Sequence, residues 1–177
     1  MRAWRQGSEL GLRMTRWIFL FLLLSAEQAS AAALCGSGEP LHSSQDTALI
    51  AFAHAVGIRD AEAFRGIANY LHTHHGMLPR CFLRKGEAER LGWHPGGDLW
   101  AVAPGAAIGG DRFANREARL PARWNGRYVE ADLDYAGGQR GIKRLVFVRG
   151  MGEGAEEWLL FVTTDHEGSF TAFVPAR

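Results

Sequence analysis

This chain has almost no net charge. Its 177 residues carry 20 Lys and Arg against 19 Asp and Glu, a formal net charge of +1. So neutral a protein cannot hold a polyanion by bulk charge, and a nucleic-acid ligand would require a local basic cluster. Cysteine is nearly absent too. Cys35 and Cys81 are the only two, which excludes a small domain held together by a disulfide framework. No internal repeat and no heptad run is visible, which excludes a solenoid and a coiled coil. The longest apolar run, 17–24, is too short to cross a bilayer comfortably as a helix.

That run has the setting of an export signal. Arg13 and Arg16 precede it, and Ala29, Ser30, Ala31, Ala32 and Ala33 offer the A-x-A pattern of a cleavage site. The expectation is a cleaved signal over 1–31, with Met14 as an alternative start, and a mature protein that is secreted and not membrane-bound. Leu34 is bulky where lipoprotein processing before Cys35 would want a small residue. Loss of 1–31 removes four arginines and two glutamates and takes the formal charge from +1 to −1. The remaining ~145 residues suffice for one core without covalent staples. In an oxidising compartment Cys35 and Cys81 either bridge, pinning the N-terminus, or stay as two thiols, and the sequence leaves both open.

Residues 32–44 are rich in Ala, Gly and Ser and read as a linker. A helix is expected over 46–56, ended by Gly57, so that 32–59 forms an N-terminal arm with its own helix and 60–177 the main domain. Asp60 is a good N-cap for a second helix carrying Phe64, Ile67 and Leu71 at three-and-four spacing. Gly76 stops it, and His75 in its last turn suits the helix dipole as a structural cap. A short helix over 84–91 should turn Ala88 and Leu91 inward, and 98–103 makes one more turn. The period then changes from helical to alternating. Over 127–135, Val129, Ala131, Leu133 and Tyr135 fall on one face and Glu130, Asp132 and Asp134 on the other. Further strands follow at 143–149, 157–163 and 169–174. Helices first and strands second imply an α+β fold, with helices packed on an antiparallel sheet of four to five strands.

The residues with chemistry cluster late in the chain. The apolar run 158–163 leads to His166, whose side chain type exchanges protons near neutral pH. Alone, such a histidine is a surface residue or a local hydrogen-bond partner, and alternating acids such as Glu130 and Asp132 mark a solvated sheet face. A hairpin turning at 136–138 would however bring Arg140 and Arg144 back beside Glu130. Guanidinium groups beside a carboxylate and an imidazole suit phosphate, which they bind bidentately and whose growing charge they stabilise. Lys85, at the head of the 84–91 helix, adds a further cation.

From about residue 64 to 173 the chain resembles the barnase-like bacterial ribonucleases, which are secreted and prefer guanine. The resemblance runs in order through Ala68-Asn69-Tyr70-Leu71, Leu91-Gly92-Trp93, Val102-Ala103-Pro104-Gly105, Ile108-Gly109-Gly110-Asp111, Phe113-Ala114-Asn115-Arg116-Glu117, Glu130-Ala131-Asp132 and Thr163-Thr164-Asp165-His166. It implies three helices on an antiparallel sheet and a monomeric endoribonuclease that uses no cofactor and no metal. Glu130 would be the general base toward the ribose 2′-OH, and His166 the general acid toward the leaving 5′-oxygen. Lys85, Arg140 and Arg144 would hold the phosphate. Cleavage would pass through a 2′,3′-cyclic phosphate to a 3′-phosphate.

The resemblance also assigns Phe113, Ala114, Asn115, Arg116 and Glu117 to a guanine-binding loop, Glu117 reading the Watson–Crick edge. It implies a small acidic inhibitor of the barstar type as a partner besides RNA. The chain departs from the pattern at Glu167, where tyrosine is usual, at Ala114, where serine is usual, in a longer 150–156 connection, and in the added 46–56 helix. A non-catalytic RNA- or protein-binding module of the same fold is the competing expectation. The retained Glu130, Arg140, Arg144 and His166 count against it, because nothing else in such a fold needs an acid–base pair.

Overall fold

The computed structural model describes residues 43–150 and 159–174. The expected signal over 1–31, Cys35 and the connection 151–158 lie outside them. Two helices lead, α1 (Ser43–Ala55) and α2 (Ala61–Thr73). The Asp60 carboxylate accepts from the Ala63 N–H at 2.9 Å, capping α2 as its sequence requires. Phe64, Ile67, Ala68 and Leu71 on α2 are fully buried. Leu49 and Ala53 of α1 join the same core, and Phe52 packs on both Phe64 and Phe173.

The end of α2 departs from expectation in one detail. His74, not His75, is the cap: its backbone N–H donates to the Tyr70 carbonyl at 2.9 Å and its ring stacks on Tyr70 at 3.7 Å. His75 lies past the helix, exposed, with φ +53°. Gly76 does stop the helix, donating back to the Leu71 carbonyl. A short helix α3 (Lys85–Arg90) follows, its first turn capped by the Glu87 carboxylate, which accepts from the Arg84 N–H at 2.8 Å. Ala88 is buried, but Leu91 is 53% exposed. Leu91 is the C-cap, and the chain reverses at Gly92 (φ +98°), so Trp93 swings into the core instead.

The sheet has six strands in sequence order: β1 (Phe82–Leu83), β2 (Ala107–Arg112), β3 (Tyr128–Asp132), β4 (Arg144–Val148), β5 (Leu160–Thr163) and β6 (Thr171–Phe173). β1 pairs with β2 in parallel and every later pair is antiparallel. The count exceeds expectation because β1 is too short to show a period and β2 is interrupted by glycine. A Cβ on Gly109 would lie 2.7 Å from the Phe82 ring, so only glycine allows this close approach. Gly110 (φ +95°) sits at the register shift beside it.

Val129, Ala131, Leu145, Phe147, Leu160 and Val162 turn toward the helices. The opposite face is not the solvated one that alternating acids suggest. One end of it carries a second apolar cluster of Leu120, Tyr128, Val146, Val148, Leu159 and Phe161. The other end holds Glu130 and Asp132, both buried. Asp134 has left the strand at φ +56°, and its buried carboxylate accepts from the Arg59 and Asp60 N–H groups and pairs with Lys143 at 2.6 Å. It fastens the α1–α2 turn to the sheet. Cys81 is disulfide-bonded, which removes the free-thiol alternative for that residue.

Candidate active site

β3 supplies the centre of the site. Its register sets Glu130 opposite Asp111 on β2 and Asp132 opposite Arg144 on β4. The Lys85 ammonium meets Glu130 Oε1 at 2.6 Å, while its own backbone N–H donates to Asp111 at 2.9 Å. Lys85 therefore comes to the site because the first residue of α3 is tied to the rim of β2.

The hairpin after Tyr135 brings the arginines back, but onto Asp132 and not Glu130. Arg140 donates through Nε and Nη2 to the two Asp132 oxygens at 2.7 and 2.6 Å, a bidentate pair. Arg144 Nε lies 3.2 Å from Asp132 Oδ1, and its Nη1 donates to the Gly141 and Lys143 carbonyls. Among the described residues, no hydrogen bond engages Arg140 Nη1 or Arg144 Nη2, and the Arg140 guanidinium lies 5.8 Å over the Trp93 ring. Burial opposes the charge on Arg140, yet its pKa is raised, because the hydrogen bond and charge of Asp132, then Glu130 and Asp111, outweigh that cost. The loop between β3 and β4 is held by Tyr135, whose hydroxyl accepts from the Leu99 N–H and lies 3.0 Å from both the Asp98 carboxylate and the Gly138 carbonyl.

His166 is exposed and stands three residues past the end of β5, in the turn to β6 rather than on the strand. Asp165 builds that turn. Its carboxylate accepts from Thr163 Oγ1, the Ser169 N–H and Ser169 Oγ, while Thr163 Oγ1 accepts from the Glu167 N–H. These bonds hold His166 (φ +59°) and Glu167 (φ +68°) in the left-handed region, which non-glycine residues rarely adopt. The Ser169 and Thr163 bonds lower the Asp165 pKa from 3.8 to about 2. A carboxyl depressed in the folded state stabilises above its unfolded pKa and loses that contribution as pH falls through the folded one. An Asp165→Ala protein should therefore be less stable than wild type at about pH 5, with the gap closing toward about pH 2. Urea midpoints at both ends check this, and a gap that stays constant would contradict it.

A cavity of about 480 Å³ joins the remaining groups. Its walls include Phe113, Asn115, Glu117, Glu130, His166 and Glu167. Within the 113–117 segment Asn115 is buried at φ +48° and braces the loop from inside. Its side chain donates to the Leu120 carbonyl and to Asn125, and accepts from the Leu120 N–H. Glu117 is exposed and receives Arg119 on Oε2 at 2.7 Å. Arg119 also donates to the Gly168 carbonyl, and Phe113 packs edge-on against Phe170 at 5.7 Å. The loop is thus fastened to the turn that carries His166.

The geometry brings Glu130, His166 and the 113–117 segment to one cavity, sets Lys85 on Glu130, and places Arg140 and Arg144 one pleat along. The sequence reading overlooked Asp132 as the anchor of both arginines, Asp165 as the builder of the histidine turn, and Arg119. A signal existed for the first two: Asp132 falls on the Glu130 face by alternation, and Thr163, Asp165 and Ser169 have the spacing of an Asp-centred turn.

A family model described as ribonuclease matches residues 67–174, which contain every one of these groups. The chain belongs to the ribonuclease family. It is a barnase-like microbial member, as the ordered motifs suggested. The chain is 42% identical over 109 residues to the ribonucleases of Bacillus intermedius and Bacillus pumilus, covering 61% of the chain. It spans 62% of the length of those two relatives. To the ribonuclease of Heyndrickxia coagulans it is 42% identical over 108 residues, covering 60% of the chain and 92% of that relative. Helix α1 lies outside the matched segment, yet its Asp46 accepts from Asn69 at 2.6 Å and faces Arg65 at 3.6 Å on α2.

Proposed function

We propose that this ribonuclease is an exported endonuclease that cleaves single-stranded RNA by transesterification, preferring guanine on the 5′ side of the bond. The observation that carries this is the single cavity shared by Glu130, His166 and the 113–117 segment. In the first step Glu130 accepts the proton of the 2′-OH as its oxygen bonds to phosphorus. The bond from phosphorus to the 5′-oxygen breaks, and His166 gives that oxygen its proton. The product is a 2′,3′-cyclic phosphate. Water then opens the ring with the two proton roles exchanged, leaving a 3′-phosphate. The ammonium of Lys85 and the guanidinium groups of Arg140 and Arg144 offset the negative charge that grows on the phosphate oxygens. DNA lacks the 2′-OH and is not cut. An acidic inhibitor would seek these same cations, and its association rate would fall with salt.

Glu117 would read guanine by accepting from its N1–H and amino group, an edge that adenine presents in the wrong order. Arg119 holds the Glu117 carboxylate from one side and so presets its orientation. Failure to pair a buried polar group costs about 1–3 kcal/mol, so discrimination of roughly ten- to hundredfold is expected. The test compares GpA, ApA and CpA with wild type and Glu117→Ala. Wild type should favour GpA by that factor and the variant should lose the preference more than the rate. Equal wild-type rates on all three dinucleotides would contradict the assignment. Glu167, on the same cavity wall, adds negative charge that weakens binding of every base alike.

A further inference from the structure

The cations at the reaction centre are largely matched by acids: Lys85 by Glu130, Arg140 and Arg144 by Asp132. Affinity for a long polyanion comes from cations that are not so matched. Such a group lies next door. A second cavity, of about 360 Å³, is walled by Arg84, Arg112, Arg127 and Arg149, with Asp111 as its acid. Asp111 is already engaged by the Lys85 N–H. All four arginines are exposed, and among the described residues none of them is ion-paired. They converge from the N-cap of α3, the end of β2, the residue before β3 and the residue after β4.

Among the described residues, Arg127 and Arg149 are held by backbone and aromatic contacts. Arg127 Nη2 donates to the Arg149 carbonyl at 2.9 Å, and its guanidinium sits 5.1 Å over the Trp124 ring. Gly126 (φ +86°) and Gly110 (φ +95°) line the same cavity, both in a backbone conformation that favours glycine. Arg112 lines both this cavity and the reaction cavity, so the two are neighbours. A third cavity shares Arg84 and Arg149 with the second and carries Glu87. The groove leaves the reaction centre by the Tyr128 end of β3, opposite the Asp132 end where Arg140 and Arg144 sit.

We propose that this arginine groove binds the phosphate backbone of single-stranded RNA beyond the nucleotides at the scissile bond, an inference that rests on the ribonuclease activity proposed above. Four convergent guanidinium groups around one cavity suit a chain of phosphates, each taken by a fork. The groove would lower KM for long substrates and leave the chemical step alone.

The test uses Arg127→Gln/Arg149→Gln, neither residue lying on the reaction cavity, with GpA and an oligonucleotide of about 12 nucleotides. On GpA the double variant should match wild type within about twofold, showing that the fold and the chemistry persist. On the oligonucleotide kcat/KM should fall at least about tenfold at low salt, through KM. The slope of log binding against log salt should shrink by roughly 1.4, about 0.7 for each phosphate that is no longer neutralised. The Arg127→Lys/Arg149→Lys protein, which keeps both charges, should recover most of the loss. Wild type that cuts neither substrate would overturn the ribonuclease reading itself. Wild type that cuts both, with a Gln variant unchanged on the oligonucleotide, would overturn the groove alone. Unchanged oligonucleotide cleavage together with weaker binding to phosphatidylserine vesicles would assign the arginines to a lipid surface and also overturn it.

Discussion

His166→Ala and Glu130→Gln should each lower turnover on RNA by about two orders of magnitude or more while leaving the protein folded. The size follows from the proposed role, in which each residue supplies one of the two proton transfers. The fold should tolerate both changes. His166 is exposed, and such surface substitutions usually move stability by less than about 0.5 kcal/mol. Glu130 is buried, but its partner Lys85 is 44% exposed, so losing that pair costs about 1 kcal/mol or less. Because one group must be deprotonated and the other protonated, wild-type kcat/KM should trace a bell against pH, and each variant should lose one limb. A folded His166→Ala protein with near-normal turnover would remove histidine from the mechanism.

The largest effect on stability is expected at Asp132. Its side chain is 2% exposed and is the shared counter-charge of Arg140 and Arg144, whose side chains are 16% and 12% exposed. Removing one partner of a buried ionic group leaves the others unpaired, which costs about 3–5 kcal/mol. Asp132→Ala should therefore shift the urea midpoint strongly and also reduce turnover, since both guanidinium groups lose the bond that aims them. Asp134→Ala is the matched control. That carboxylate is as well buried, but it holds Lys143 and the backbone at Arg59 and Asp60, away from the reaction cavity. It should lose stability and keep kcat at temperatures where it is folded. If both variants lost kcat alike, Asp132 would have no special hold on the phosphate site.

These two acids also show how far the sequence can be read. Alternation over 127–135 placed Glu130 and Asp132 on one face correctly, because a strand has a strict period of two. It could not foresee that Asp134 leaves the strand, nor that the polar face is closed by charge pairing instead of water. Asp60 and Gly76 delimited α2 because caps are local chemistry. Leu91 was expected inward by its helical spacing, but the reversal at Gly92 gives the core position to Trp93. β2 escaped notice because Gly109 and Gly110 serve close packing and a bulge, leaving no hydrophobic alternation to see. The proposed acid–base pair rests chiefly on its motifs, since Glu130 and His166 lie on separate elements. The groove of Arg84, Arg112, Arg127 and Arg149 had no such motif, and only folding shows that they converge.

The most direct measurement is the order in which products appear when the purified protein cuts a defined RNA in EDTA. Glu130 as base and His166 as acid predict a 2′,3′-cyclic phosphate end first, placed after guanine, which then converts to a 3′-phosphate. Fragments with 5′-phosphate ends, or cleavage that appears only when a divalent metal is restored, would contradict the account.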